Sequence, residues 1–366
     1  MEAAQTIAWG VLGLFLLLGC IVFIHELGHF IACRMLGIQV LEFAVGMGPT
    51  ACQWQSKKTA TIFKICWLPI GGYVKPLSTS EEVFKNLKPD EQKAVASQCI
   101  DKAGSARQWI MYFMGPAFNF LLTFFIFFIL AFNPRPEILP LIQPIEDKPL
   151  AMAGFEVGDQ LMSVAGEPTP TMTRAVQSLI PHIGSEFNVV VLRAESEVML
   201  TVDLRDAVLE RETNILDLLG LRASSIEVAP TPPITIAEAV GHGVSETAFF
   251  TQLTLSTIGN LFTGSVATDN LGSAITIGDN AGEALQVGWI SFAILTAVLS
   301  INIGILNLLP IRPLDGGHLL FLSVEILIRR PLPEAIHRYS LYVGFALIAC
   351  FMLLSVSNDI YYYLIA

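Results

Sequence analysis

The sequence predicts a multi-pass α-helical membrane protein with four transmembrane helices and a β-rich region outside the bilayer. Three observations carry this. Hydrophobic residues are 53% of the 366 and charged residues 14%, with a mean hydropathy of +0.60. Apolar stretches suited to crossing a bilayer run from Thr6 to Cys33, Trp109 to Phe132 and Val287 to Leu309, with a fourth from Leu341 to Leu354 that begins after Arg338. Between the second and third lies a long region of short β-prone runs and turn residues, the pattern of strands and not of a helical bundle.

Four spans put both termini on one side. Ten Lys and Arg lie between Arg34 and Arg107, and Arg329, Arg330 and Arg338 crowd the link before the last span. Asn133 to Glu246 carries seven, amid seventeen Asp and Glu. The positive-inside rule therefore expects the first and third connections in the cytoplasm, and the acidic middle region and both termini outside. The start lacks a basic n-region and a small-residue cleavage site, so the first stretch reads as a retained span. The middle region has no cysteine, and the six elsewhere suggest neither a disulfide framework nor a Cys-x-x-Cys site. Ala248 to Phe262 is apolar but short and rich in Thr and Ser, and reads as an interfacial helix. The expected layout is a first helix over 1–36, a cytoplasmic connection over 37–108, a second helix over 109–132 and an external domain over 133–229. A linker with the interfacial helix follows over 230–286, then a third helix over 287–328 and the last over 329–366.

Directly behind the apolar run from Thr6 to Ile24 stand His25, Glu26, Leu27, Gly28 and His29. On a helix, positions i and i+4 share one face, which aims both imidazoles at a single metal while Glu26 reaches toward a water. The structural alternative makes the histidines interhelical hydrogen-bond partners and lets Glu26 snorkel to the interface. Against it, a Glu and two His in lipid are costly to keep without a function.

A catalytic zinc usually takes three protein ligands, so a third is sought elsewhere. Asp315 is the candidate. It follows Asn302, Asn307, Pro310 and Pro313, and precedes Gly316, Gly317 and His318. The prolines and glycines break a helix there and let a carboxylate at membrane depth point inward. Alone, Asp315 would read as the cap of a helix beginning near Gly317; paired with the first motif, it reads as a ligand. His318 is the alternative ligand or a partner of the ligands. Asn119 reads as a bond across helices. Such a site suits hydrolysis: zinc acts as Lewis acid on a carbonyl and lowers the pKa of water toward ~7, and Glu26 takes the proton and later delivers it.

His25-Glu26-Leu27-Gly28-His29, Asn307-Leu-Leu-Pro310 leading into Leu314-Asp315-Gly316-Gly317, Pro69-Ile-Gly71-Gly72-Tyr73-Val74-Lys75, and Gly115-Pro116-Ala-Phe-Asn119-Phe120 together resemble the site-2 protease family of intramembrane zinc metalloproteases, closest to its bacterial branch that acts on anti-sigma factors. The resemblance covers almost the whole chain. It implies zinc held by His25, His29 and Asp315, Glu26 activating the water, and Asn307 contacting substrate or oxyanion. It also implies a membrane-reentrant β-loop in the cytoplasmic connection. The residues agree with a β structure there: Val40 to Met47 and Ala60 to Trp67 are β-prone, followed by an expected turn at Gly71-Gly72 and then Tyr73-Val74. A transmembrane substrate must be unwound before its bonds are reachable, and an exposed strand edge could hold it by strand addition, which makes Gly71, Gly72 and Tyr73 substrate-binding candidates. The alternative is a small hairpin with no substrate contact.

In the external region, Ala153-Gly154-Phe155-Glu156-Val157-Gly158-Asp159 followed by Val164-Ala-Gly166 resembles a PDZ domain of the circularly permuted bacterial type; the alternative is a small β-rich spacer. Relatives often carry two such domains in tandem, and this chain has room for one. A linker, Pro230-Thr-Pro232-Pro233, follows. At Asn270-Leu-Gly272-Ser-Ala274 relatives tend to have a Ser-Gly-Pro turn, another departure.

The resemblance implies an endopeptidase of the bacterial inner membrane, active near the cytoplasmic side. Its expected substrates are single-span proteins such as anti-sigma factors, after a first cut outside the membrane, and leftover signal peptides. Zn2+ is the expected cofactor and membrane lipid the surroundings, with no nucleic acid among the partners. Two rivals stay open: a metal-binding membrane transporter and a catalytically inactive scaffold that binds membrane proteins.

Overall fold

The structure, a computed structural model, describes residues 2–133, 137, 138, 140–146, 148–169, 171–205, 207, 218–223, 228, 229, 234–263 and 273–364. The expected linker at 230–233 and the departure at 270–272 lie outside the described residues. The chain forms two compact units, Met1–Phe127 with Gly272–Ala366, and Phe128–Leu271.

In the first unit, helix α1 (Glu2–Met35) is a single uninterrupted rod that ends at Gly37, whose positive φ of 73° lets the chain turn out of the helix. Its buried positions include Gly10, Gly13, Leu17, Ile21, His25, Gly28, His29 and Ala32, a stripe at steps of three and four residues, with Cys33 buried beside it. Both histidines therefore lie on the packed face of the helix and not toward its surroundings. Strands β1 (Val40–Gln55) and β2 (Ile62–Pro76) each bend midway, so that two long strands build a four-stranded antiparallel sheet. Residues 42–45 pair with 72–75 on one side and 62–65 on the other, and 50–55 pair with 62–66 beyond. Gly71 and Gly72, expected to turn the chain, instead bend a strand that continues to Pro76; Gly71, at φ 82°, supplies the bend.

Helix α2 (Ser105–Ala131) is the second long apolar helix. The third expected helix, 287–328, is divided. Helix α6 (Trp289–Asn307) stops, irregular backbone carries Leu308 to Leu314, and α7 (Asp315–Ile328) starts anew. Prolines 310 and 313 cannot continue the ladder, which explains the break. Helix α8 (Glu334–Leu364) extends well beyond the expected apolar core at both ends. Among the described residues, four helices are long and apolar enough to cross a membrane: Gln5–Met35, Ser105–Ala131, Trp289–Asn307 and Glu334–Tyr361.

A further helix, α5 (Ala274–Val287), stands where a linker was expected. Asp279, Asn280 and Glu283 dilute its apolar pattern, yet it packs closely on α1. A Cβ on Gly282 would come within 2.7 Å of the Gly10 nitrogen, and one on Gly13 within 2.6 Å of the Ala281 carbonyl carbon. Asp359 of α8, fully buried, accepts from the backbone of Ser273 and Thr276 and from both hydroxyls, capping α5.

The second unit is β-rich. Strands β3 (Leu141–Pro144), β4 (Asp159–Val164), β5 (Glu186–Arg193), β6 (Ser196–Asp203) and β7 (Leu221–Ala223) form one antiparallel sheet in the order β6-β5-β4-β3-β7, with Glu167–Pro168 also pairing with β4. Alternate residues Phe187, Val189 and Val191 of β5 face a core completed by Ile142, Leu161, Val164 and Val202, and by Ala175 and Leu179 of helix α3 (Met172–Leu179). The expected interfacial helix is longer than its apolar stretch: α4 (Ile236–Thr263) places Glu246 beside Arg174, whose guanidinium lies 3.3 Å over the Phe249 ring, and Asn260 donates to the Pro181 carbonyl.

Candidate metal centre

Three side chains from two distant parts of the chain meet in the first unit. His25 Nε2 lies 3.1 Å from Asp315 Oδ2, His29 Nε2 3.4 Å from the same oxygen, and the two Nε2 atoms are 3.2 Å apart. Among the described residues this is the one group of three or more His, Cys, Asp or Glu that could hold a metal ion. Donors ligating tetrahedrally at ~2.0–2.1 Å stand about 3.3 Å from one another, so the triangle has the size such an ion requires. Both histidines are 8% exposed and the Asp315 side chain 14%, which keeps competing water away.

Helix α2 explains why the imidazoles point inward. Its residues Met111, Gly115 and Asn119, at i, i+4 and i+8, form one stripe along the histidine face of α1. His29 Nδ1 donates to the Met111 carbonyl at 2.8 Å, which leaves Nε2 with its lone pair free. Asn119 presents its amide to His25 Nδ1 at 3.3 Å. Gly115, between them, leaves the space both rings occupy, and Gly28 of α1 meets the Met114 carbonyl, so the helices approach closely.

Asp315 opens α7, and its loop is clamped on several sides. A Cβ on Gly317 would come within 2.5 Å of the Arg312 nitrogen; one on Gly316 would overlap Leu308, and one on Gly344 of α8 the Arg312 carbonyl. The Arg312 guanidinium donates to Nδ1 of His337 at 2.6 Å and of His318 at 3.3 Å, and His337 Nε2 lies 3.4 Å from Glu325. These groups, with Gln108 and Tyr112, line a cavity of about 270 Å³. Two contacts tie α2 to α7: Trp109 Nε1 donates to Ser323 Oγ at 3.0 Å, and Tyr112 stacks on His318 with ring centroids 4.2 Å apart.

The predicted site residues are thus sorted. His25, His29 and Asp315 converge. His318, the alternative ligand, is held by Arg312 and Tyr112 outside the donor triangle. Glu26 stands beside the triangle, next to the bent strand β2. Gly72 allows this approach, since a Cβ there would lie 3.0 Å from Glu26 Cγ and 2.8 Å from the Ala44 carbonyl oxygen. Tyr73 is engaged elsewhere: its hydroxyl donates to Glu42 at 2.7 Å, and Lys64 reaches the same oxygen at 2.6 Å. Asn307 is the half-buried last residue of α6. Asn119 bonds across helices as read from the sequence, but its side-chain partner is His25. The sequence reading missed the roles of Met111, Gly115 and Arg312; the four-residue steps from Met111 to Asn119 were the available signal for the first two.

Residues 13–351 match peptidase family M50. A candidate zinc metalloprotease of Mesorhizobium japonicum is 34% identical over 93% of this chain and 95% of its own length. One of Agrobacterium fabrum is 30% identical over 98% of each, and one of Vibrio cholerae is 26% identical over 96% of this chain and 98% of its own. The Vibrio alignment is 454 positions long against a chain of 366, so that protein carries inserted residues that this one lacks. With a match that spans nearly all of it and includes the three converging donors, the chain belongs to peptidase family M50.

Proposed function

We propose that this protein is an intramembrane endopeptidase in which His25, His29 and Asp315 hold zinc and Glu26 is the general base. Its family and the zinc metalloproteases it resembles make it a zinc metalloprotease. The observation that carries the residue assignment is the triangle of donors 3.1–3.4 Å apart, with His25 and His29 on a helix of membrane-spanning character and Asp315 at the start of α7, just beyond another such helix. Zinc held there supplies a Lewis acid to a peptide carbonyl and to water. Glu26, adjacent to the ligands and packed against Gly72 of β2, accepts the proton of the attacking water and returns it to the leaving amine nitrogen.

The substrate is the transmembrane segment of a single-span protein, cut near its cytoplasmic boundary. A helical segment must first be extended, and an outer strand of this sheet, 72–75, runs beside Glu26, so a substrate strand added there is delivered to the base. In this reading Gly71, Gly72 and Tyr73 shape that edge and Asn307 contacts the substrate carbonyl. Met47, Trp54, Trp67 and Leu68 are exposed on the hairpin, which supports its reentry into the bilayer. The β-rich unit is read as a single PDZ-like domain that screens the external stump left by an earlier cut. Anti-sigma factors of an envelope stress response and remnant signal peptides are the proposed substrates. The inner membrane of a bacterium, with the β-rich unit and both termini outside, is the proposed location.

The test is cleavage of a reporter span in proteoliposomes by wild type and by Glu26→Gln, with zinc content measured in both. The expected result is equal zinc and a cleavage rate lower by roughly 10²- to 10⁴-fold in the variant. A transporter would move metal and cut nothing, and an inactive scaffold would bind the reporter equally in both forms and leave it intact.

A further inference from the structure

Neutral imidazole binds a metal through Nε2 only when its proton is on Nδ1. For His29 the Met111 carbonyl settles this, because it can only accept. For His25 the neighbour of Nδ1 is the side-chain amide of Asn119, which holds an acceptor and a donor. Nδ2 of that amide lies 3.3 Å from Nδ1, and Oδ1 is buried with no hydrogen-bond partner. A half-turn about Cβ–Cγ exchanges the two atoms. With oxygen toward His25 the proton is held on Nδ1 and Nε2 is bare; with nitrogen toward it, the proton moves to Nε2. One amide atom stays unpaired either way, so the choice falls to His25 and what its Nε2 faces.

We propose that Asn119 is a positioning residue that sets the tautomer and ring orientation of His25, with Oδ1 accepting from Nδ1–H when metal is held. This rests on the ligand assignment above. The rest of Asn119 is built for fixed placement. It is fully buried, its carbonyl accepts from Ser300 Oγ at 2.9 Å and Thr123 Oγ1 at 3.2 Å, and Thr123 Oγ1 also reaches the Ala297 carbonyl at 2.8 Å. Gly304 of α6 leaves room for it, since a Cβ there would lie 3.2 Å from Asn119 Cβ. The residue is therefore held between α2 and α6 by its backbone while its amide is left to His25.

The test uses full-length protein in detergent, with zinc affinity measured by chelator competition and the visible spectrum recorded after cobalt substitution. Asn119→Leu, similar in size and without an acceptor, is expected to weaken zinc about 10- to 100-fold and alter the cobalt bands. Asn119→Asp keeps an acceptor and is expected to restore both. Ser300→Ala loosens the same helix contact without touching His25 and is expected to keep wild-type affinity. Wild-type affinity in Asn119→Leu, or an Asn119→Asp as weak as the leucine variant, overturns the proposal. If the leucine variant does not fold, the comparison of Asn119→Asp with Asn119→Ser, whose shorter hydroxyl falls short of Nδ1, decides it in the same way. His29→Ala is the separate control: unchanged zinc affinity there would defeat the ligand assignment itself, and the Asn119 proposal with it.

Discussion

Gly115 lies against His29 so closely that a Cβ added to it would overlap Nε2, and it would also stand 2.8 Å from His25 Nε2. The two helices touch where His25 and His29 meet Asp315. Gly115→Ala is therefore expected to displace at least one imidazole, at a cost of about 1–3 kcal/mol from overpacking, and to lower zinc content and activity together. Zinc analysis of purified Gly115→Ala checks this; full metal content with full activity would show that the rings have room to give.

Arg312 fixes the loop that presents Asp315. Arg312→Ala leaves two imidazoles without their donor and opens the cavity among them, which is expected to cost about 2–3 kcal/mol. Arg312→Lys should recover less than half of this, because one ammonium cannot serve both nitrogens as the guanidinium fork does. Thermal unfolding in detergent gives the stability, and the rate of zinc loss to a chelator gives the effect on Asp315.

Glu42 gives the hairpin a pH dependence. The Lys64 ammonium and then the Tyr73 hydroxyl hold its carboxyl below the usual glutamate range, and the same pairing raises Lys64. A carboxylate lowered on folding contributes fully above its unfolded value and loses that contribution as pH falls through the folded value. Amides of residues 62–75 should thus lose protection in acid, measured by hydrogen exchange corrected for intrinsic rates. Glu42→Gln should abolish the acid step; an identical acid response in both proteins contradicts the assignment.

Arg193 organises the turn between Ala153 and Asp159. It donates to Asp159 through Nε at 2.8 Å and Nη2 at 2.7 Å, to Glu156 at 2.6 Å and to the Gly154 carbonyl at 2.8 Å. Asp159 is 1% exposed, so Arg193→Ala strands a buried carboxylate at a cost of roughly 3–5 kcal/mol. Glu156→Ala, at the exposed end of the network, should cost less than about 1 kcal/mol. Limited proteolysis of the β-rich unit distinguishes the two.

The long apolar helices and the convergence of His25, His29 and Asp315 were legible because each rests on local spacing. An apolar run declares a spanning helix, and His25 with His29 at i and i+4 declares a shared face. Asp315 was legible through the prolines and glycines around it. What stayed hidden depends on contacts between distant segments. A backbone carbonyl such as that of Met111 leaves no mark in the sequence, and Gly115 declares its purpose only when α1 is laid against it. Arg312 gains its meaning from His337, which belongs to another helix. Helix α5 was hidden by Asp279, Asn280 and Glu283, polar residues that read as linker, whereas its glycines serve a tight seam with α1.

The stripe of Met111, Gly115 and Asn119 also limits how the protein can admit a substrate. Sliding α2 along α1 by a single turn, ~5.4 Å, would take the carbonyl from one imidazole, the amide from the other and the gap from both. A pair that keeps these contacts moves as one frame, and an opening for a peptide is then left to the elements around it.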